Sequence, residues 1–349
     1  MTNASQHLDV DAAEAYLLRY LAIEGVTGQE AAIAKAIRDD LVEIGVPPDA
    51  IRFDGVAARI PLPTQTGNLI VDLPGTRPGP RLLFSTHLDT VPLCAGAKPR
   101  REGDRIVGDG TTALGGDDRT GCALLVALVR TLVKNNLEHP PMTLLFTVRE
   151  ESGLHGAREL DPADLNGAAM CFNVDGKLAS ELIIGAVGQE NWEVAITGKA
   201  SHAGVAPDKG ISATLVGALG LAETKAAGWF GKIVKPDGHG TSNVGIFGGR
   251  DGAAAGDATN VVTDYAWLKG EARSPKEEFT SAITKGIRTA FEAARAQVTD
   301  TGGETAGMEF TSVKAYPPFN LGEDTDAVRH AVKAVEGLGM KPVFVFSNG

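Results

Sequence analysis

Gly115-Gly116-Asp117-Asp118-Arg119-Thr120-Gly121 is a glycine-flanked pair of carboxylates that runs directly into an apolar segment from Cys122 to about Val133. The apolar spacing predicts a helix there. Asp118 stands where a helix N-terminus favours negative charge, and Asp117, one residue earlier on a Gly-rich turn, is free to point into a cleft. An Asp at a helix start is, by itself, an ordinary N-cap. Its company changes the reading. His87-Leu88-Asp89 follows the strand-like run Arg81-Leu82-Leu83-Phe84-Ser85-Thr86, Glu150-Glu151 follows Met142 to Arg149, and Asp175 follows Ala169 to Val174. Clusters of acids and a histidine at strand ends point to a metal site.

Outward from this stretch the chain alternates strand and helix. Residues 8 to 24 and 28 to 45 carry apolar positions at helical spacing, and strand-like pieces follow at Ala58 to Leu62, Asn68 to Leu73 and Leu82 to Thr86. After the helix from Cys122 come a strand from Met142 to Val148, a short helix around Leu154 to Glu159 and a strand from Ala169 to Val174. Near-continuous apolar strands alternating with helices predict an α/β fold with a mostly parallel sheet covered on both faces. Ligands gather outside the carboxyl ends of such strands, where the acidic segments fall.

From about Gly188 the pattern changes. A strand with alternating Trp192, Val194 and Ile196 leads into Ser201-His202-Ala203-Gly204, then a helix from about Ile211 to Ala227 and strands at Ser242 to Phe247 and Val261 to Glu271. A helix is predicted to start at Ser274-Pro275, with Ser as cap and Pro in the first turn, and a strand at Met308 to Lys314 completes β-α-β-β-α-β. That order predicts an inserted α+β, ferredoxin-like domain of four strands backed by two helices. The expected division is 1–187 for a first domain, 188–317 for the insertion and 318–349 for a return to the first domain through a helix at Asp326 to Gly337 and a strand at Pro342 to Phe346. The sequence stops at Ser347-Asn348-Gly349, directly after a buried-looking strand, so a C-terminal truncation is expected.

The 349 residues are 43% hydrophobic and 22% charged, with a formal charge of −11. An acidic chain without a visible basic stripe argues against a nucleic-acid partner, because phosphate contacts need a cationic face. No apolar run is long enough for a membrane span, and the polar N-terminus lacks a signal-peptide pattern. Cys94, Cys122 and Cys171 lie in or beside apolar segments and are expected as buried, reduced thiols of a cytoplasmic protein.

His87 and Asp89, two residues apart, share a face of an extended chain. A zinc-binding imidazole needs a partner for its second nitrogen, and a carboxylate at that spacing supplies one. Glu150-Glu151 can provide a ligand and a general base together. His202 lies outside this set and cannot be placed next to it from pattern alone.

Thr86-His87-Leu88-Asp89-Thr90-Val91-Pro92, Gly116-Asp117-Asp118-Arg119-Thr120-Gly121, Arg149-Glu150-Glu151-Ser152-Gly153, Asn173-Val174-Asp175-Gly176 and Ser201-His202-Ala203-Gly204, in this order, resemble the M20 metallopeptidase family, most closely its peptidase T (tripeptidase) branch. The resemblance implies a two-zinc site in which Asp117 bridges both ions, His87 and Asp175 hold one and Glu151 the other. It implies Glu150 as general base, Asp89 as support for His87, and a cis bond between Asp117 and Asp118. It also implies substrate contacts from His202, Asn260 and Arg273 of the lid domain, and a homodimer formed through that lid. The family's last ligand, a His, has no counterpart here, which puts the second zinc site in doubt. The expected activity is hydrolysis of short peptides, tripeptide aminopeptidase-like. The alternatives are a deacylase or carboxypeptidase acting on N-acyl amino acids, and a non-catalytic relative that keeps the fold.

Overall fold

The computed structural model describes residues 7–256 and 258–347. It divides into two compact units, Met1–Lys177 and Leu178–Gly349. None of the described helices is long and apolar enough to cross a membrane.

The first unit runs α1 (Val10–Ala22), α2 (Ala31–Ile44), β1 (Ile51–Phe53), β2 (Leu69–Leu73), β3 (Leu82–His87), β4 (Arg100–Glu102), β5 (Arg105–Val107), α3 (Gly116–Lys134), β6 (Met142–Thr147), α4 (His155–Arg158) and β7 (Met170–Asn173). Five strands form one sheet in the order β1-β2-β6-β3-β7. Strand β3 is parallel to β6 and β7, while β2 and β1 extend the sheet antiparallel. The sheet is mixed around a parallel centre. Leu69, Val71, Leu144 and Phe146 pack on one face with Tyr20, Ile33, Ile37, Leu41, Val126 and Val129 of the three long helices. Ile70, Leu83 and Leu145 are buried on the other. Burial on both faces explains why β6, Met142-Thr143-Leu144-Leu145-Phe146-Thr147, reads as mostly apolar without alternation.

The second unit runs β8 (Glu181–Ala186), β9 (Gly188–Thr197), α5 (Ala213–Ala226), β10 (Gly231–Lys235), β11 (Gly238–Gly248), β12 (Tyr265–Ser274), α6 (Glu277–Arg295), β13 (Gly307–Tyr316), β14 (Phe319–Asn320), α7 (Asp326–Gly337) and β15 (Val343–Ser347). A five-stranded antiparallel sheet, β10-β11-β12-β9-β13, carries α5 and α6. Trp192, Val194 and Ile196 point to those helices, meeting Ile283, Ile287 and Phe291 of α6. A smaller sheet, β14-β8-β15, joins chain that precedes the larger sheet to chain that follows it. Strand β15 is hydrogen-bonded parallel to β8, not to the sheet of the first unit.

Several expectations need correction. The segment Ala58 to Leu62 is not a strand, because Pro61 and Pro63 withhold the amide donors a ladder needs. The sheet of the second unit has five strands, since β10, a short edge strand with little apolar content, joins β11. Ser274 ends β12 and does not cap α6, whose N-cap is Lys276. Its hydroxyl instead accepts from the Lys276 amide at 3.1 Å. Cys171 is exposed, because β7 lies at the end of its sheet, whereas Cys94 and Cys122 are buried.

Candidate metal centre

Because β3, β6 and β7 are mutually parallel, their carboxyl ends open on one edge of the sheet. His87 is the last residue of β3, Glu150 and Glu151 follow β6, and Asp175 follows β7. The start of α3 delivers Asp117 and Asp118 to the same edge, and the peptide bond between them is cis. Two triads have donor atoms within 4.8 Å of one another: His87 with Asp118 and Asp175, and His87 with Asp117 and Glu151. The two aspartates divide the work. Asp118 is buried, accepting from Thr86 Oγ1 and, at 3.0 Å, from the Gly121 amide as a capping residue does. The Asp117 side chain is 72% exposed, with Oδ1 3.0 Å from His87 Nε2.

Asp89 is fully buried and organises the rest. Its two oxygens accept from the Glu150 and Glu151 amides at 2.9 and 3.1 Å. His87 Nδ1 lies 3.4 Å from Asp89 Oδ1 and 2.9 Å from the Asp89 carbonyl oxygen, which holds the ring. Nε2 faces Asp117 Oδ1 at 3.0 Å and is the nitrogen available to a metal.

Burial raises Glu150 and Asp118 to about 7, and neighbouring carboxylates add to the shift. Burial also raises Asp175 and Glu151, with Asp117 reinforcing both. Burial acts to lower His87, but the Asp89 hydrogen bond and the surrounding acids outweigh it and lift the imidazole to about 10. Burial acts to raise Asp89, yet His87 and the two amides hold it below the ordinary carboxylate range. A single imidazole thus faces more carboxylates than it can neutralise. One nitrogen donor among several oxygen donors, in excess negative charge, is a donor set suited to divalent cations.

The structure brings together His87, Asp89, Asp117, Glu150, Glu151 and Asp175. In the second unit, His202 bridges to Val261, and Ala203 donates its amide to the Asn260 carbonyl at 2.8 Å, so His202 and Asn260 are neighbours. His202 Nδ1 accepts from the Gly204 amide at 3.1 Å, which places the ring proton on Nε2. Arg273 is not beside them: it pairs with Gln189 at the end of β12 opposite to Tyr265. Its Nε and Nη2 each donate at 3.0 Å to the Glu271 carboxylate.

Two residues near the centre escaped the reading of the sequence. Asp118 read only as a helix-terminal charge. Glu30, the N-cap of α2, is fully buried; its signal was its register with the apolar stripe Ile33, Ile37 and Leu41, where an acid is out of place.

The sequence profile of peptidase family M20/M25/M40 matches residues 83–348. The uncharacterized protein YqjE of Bacillus subtilis is 33% identical over 336 residues, 95% of this chain and 83% of that protein. Among solved structures, aminopeptidase PepT from Bacillus cereus superposes with a TM-score of 0.84 at 30% identity, covering 98% of this chain and 86% of that one. A tripeptidase from Staphylococcus aureus gives 0.85 at 27% identity, covering 98% and 85%. The chain belongs to peptidase family M20 and is a hydrolytic enzyme.

Proposed function

We propose that the chain hydrolyses peptide bonds of short peptides, in the manner of a tripeptide aminopeptidase, at a centre of the two-ion type in which the second ion lacks the His that the family resemblance would supply, zinc being the proposed metal. The observation that carries this reading is the convergence of His87, Asp117, Glu150, Glu151 and Asp175 on one sheet edge. His87 and Asp175 would hold one ion, Glu151 the other, and Asp117 both. When bound, such ions supply Lewis-acid activation of water and of the scissile carbonyl. Glu150, which burial raises to about 7 in the metal-free fold, is placed beside Glu151 to act as a general base that takes the proton of water and returns it to the leaving amine. Asp89 keeps His87 oriented and anchors the Glu150-Glu151 turn through its amides.

For the second unit, residues 188–317 are proposed as a lid and dimerisation domain, with His202, Asn260 and Arg273 as substrate-binding residues. The outward Nε2 proton of His202 supports a role as donor to developing negative charge. A homodimer through this domain is proposed on the family resemblance. Three free cysteines support a reducing, cytoplasmic compartment.

The test is a panel of di-, tri- and N-acylated peptides, with metal content measured on the same protein. Tripeptide turnover that is lost on chelation and restored by zinc is expected. Hydrolysis of N-acyl amino acids alone would assign the deacylase class, and a metal-free protein that turns over nothing would assign the non-catalytic one.

A further inference from the structure

Three consecutive amides, those of Arg149, Glu150 and Glu151, are each held by a buried carboxylate. Asp89 takes the last two, and Glu30 Oε1 accepts from Arg149 at 3.0 Å and from Gly28 at 2.7 Å. Glu30 is 0% exposed, and its Oε2 has no hydrogen-bond partner in the described structure. A buried carboxylate with an idle oxygen costs stability compared with an apolar residue. A chain that breaks this rule beside its reactive centre does so where function requires it.

The surroundings of Glu30 tie the same connector to the other segments of the centre. Between α1 and α2 the chain runs alongside Thr90, with Val26 bridged to it and Thr27 donating its amide to the Thr90 carbonyl at 3.0 Å. Thr27 Oγ1 donates to Ser152 Oγ at 2.8 Å, and the buried Arg119 donates to the Gly25 carbonyl at 3.3 Å. Gly28 has φ +87°, which favours glycine, and a Cβ there would also lie 2.9 Å from the Pro63 carbonyl oxygen, beside the Arg149 guanidinium.

We propose that Glu30 is a positioning residue that sets the Arg149-Glu150-Glu151 turn, and with it the proposed base and metal ligand, by holding the Arg149 amide. This rests on the roles proposed above for Glu150 and Glu151. What matters in Glu30 is then an acceptor at a fixed distance, and two conservative variants separate that from charge. Glu30→Gln keeps the acceptor and loses the charge. Glu30→Asp keeps the charge and withdraws the acceptor by one methylene.

Hydrogen exchange of the metal-free protein reads the contact without any turnover. The Arg149 amide should stay protected in wild type and Glu30→Gln and lose at least about tenfold of its protection in Glu30→Asp. With Co2+ added as a probe, the visible spectrum of Glu30→Gln should match wild type and that of Glu30→Asp should change. Tripeptide kcat should fall about 10- to 100-fold in Glu30→Asp with KM within about twofold, and stay near wild type in Glu30→Gln. Equal protection in all three proteins, or an impaired Glu30→Gln beside an intact Glu30→Asp, would overturn the proposal. A wild type without peptidase activity would remove the functional reading, while exchange and cobalt spectra would still decide the role of Glu30.

Discussion

At the scale of single residues, the two adjacent acids after β6 separate by what holds them. Both amides are tied to Asp89, so the turn is one rigid unit, but the side chains are proposed to act differently. Glu150→Gln preserves shape and removes the proton acceptor. Turnover is expected to drop by about 10²- to 10⁴-fold with metal content unchanged; a variant as fast as wild type would take Glu150 out of the base role. Asp117→Ala removes a side chain proposed to serve both ions, so metal itself should be lost. Zinc stoichiometry by atomic emission checks this, and an unchanged value would show that Asp117 bridges nothing.

At the scale of elements, β12 decides how the residues of the second unit can share work. Tyr265 pairs with Thr197 and Arg273 with Gln189, so eight steps of extended chain separate the ends. At about 3.3 Å per residue this is roughly 26 Å, longer than a tripeptide. His202 and Asn260 lie toward the Tyr265 end, and Arg273 lies at the other. Their variants should therefore fail differently. His202→Ala is expected to lower kcat, whereas Arg273→Ala should raise KM by about tenfold for peptides with a free carboxylate and spare amidated ones. Because Arg273 already grips Glu271 through two donors, Arg273→Lys should fail to rescue, lacking the planar fork. Steady-state kinetics on matched free and amidated peptides checks both, and equal impairment of the two substrates would make Arg273 a strut of the β12 edge.

At the scale of the whole molecule, the centre is a store of electrostatic repulsion that protons or cations relieve. Glu150 and Asp118 titrate near 7 in the metal-free fold, above unfolded values near 4. The folded state therefore binds more protons between about pH 4 and 7, and their contribution to stability falls as pH rises through that window. His87, raised to about 10, adds stability that is complete below its unfolded value near 6.5 and is lost as pH climbs toward 10. Metal-free protein should thus have a Tm that declines from pH 5 to 8. Divalent ions bind the deprotonated ligands, so the gain in Tm on adding zinc should grow over the same range. Calorimetry with and without metal checks this, and a zinc effect independent of pH would contradict the assigned ligands. The sequence by itself determined the strand ends that carry His87, Glu150, Glu151 and Asp175, because apolar runs followed by acids are local patterns, and it determined α7 and the alternating face of β9 for the same reason. Only the tertiary structure decided which strands are parallel, and hence that these ends meet. It separated Asp117 from Asp118, one largely exposed and facing His87, the other buried and accepting from Thr86 and the Gly121 amide, and it placed the last strand beside β8. Glu30 shows the limit most directly: its role is a hydrogen bond to an amide 119 positions away, and a contact of that separation is set by chain closure, which leaves no periodic trace in the residues on either side.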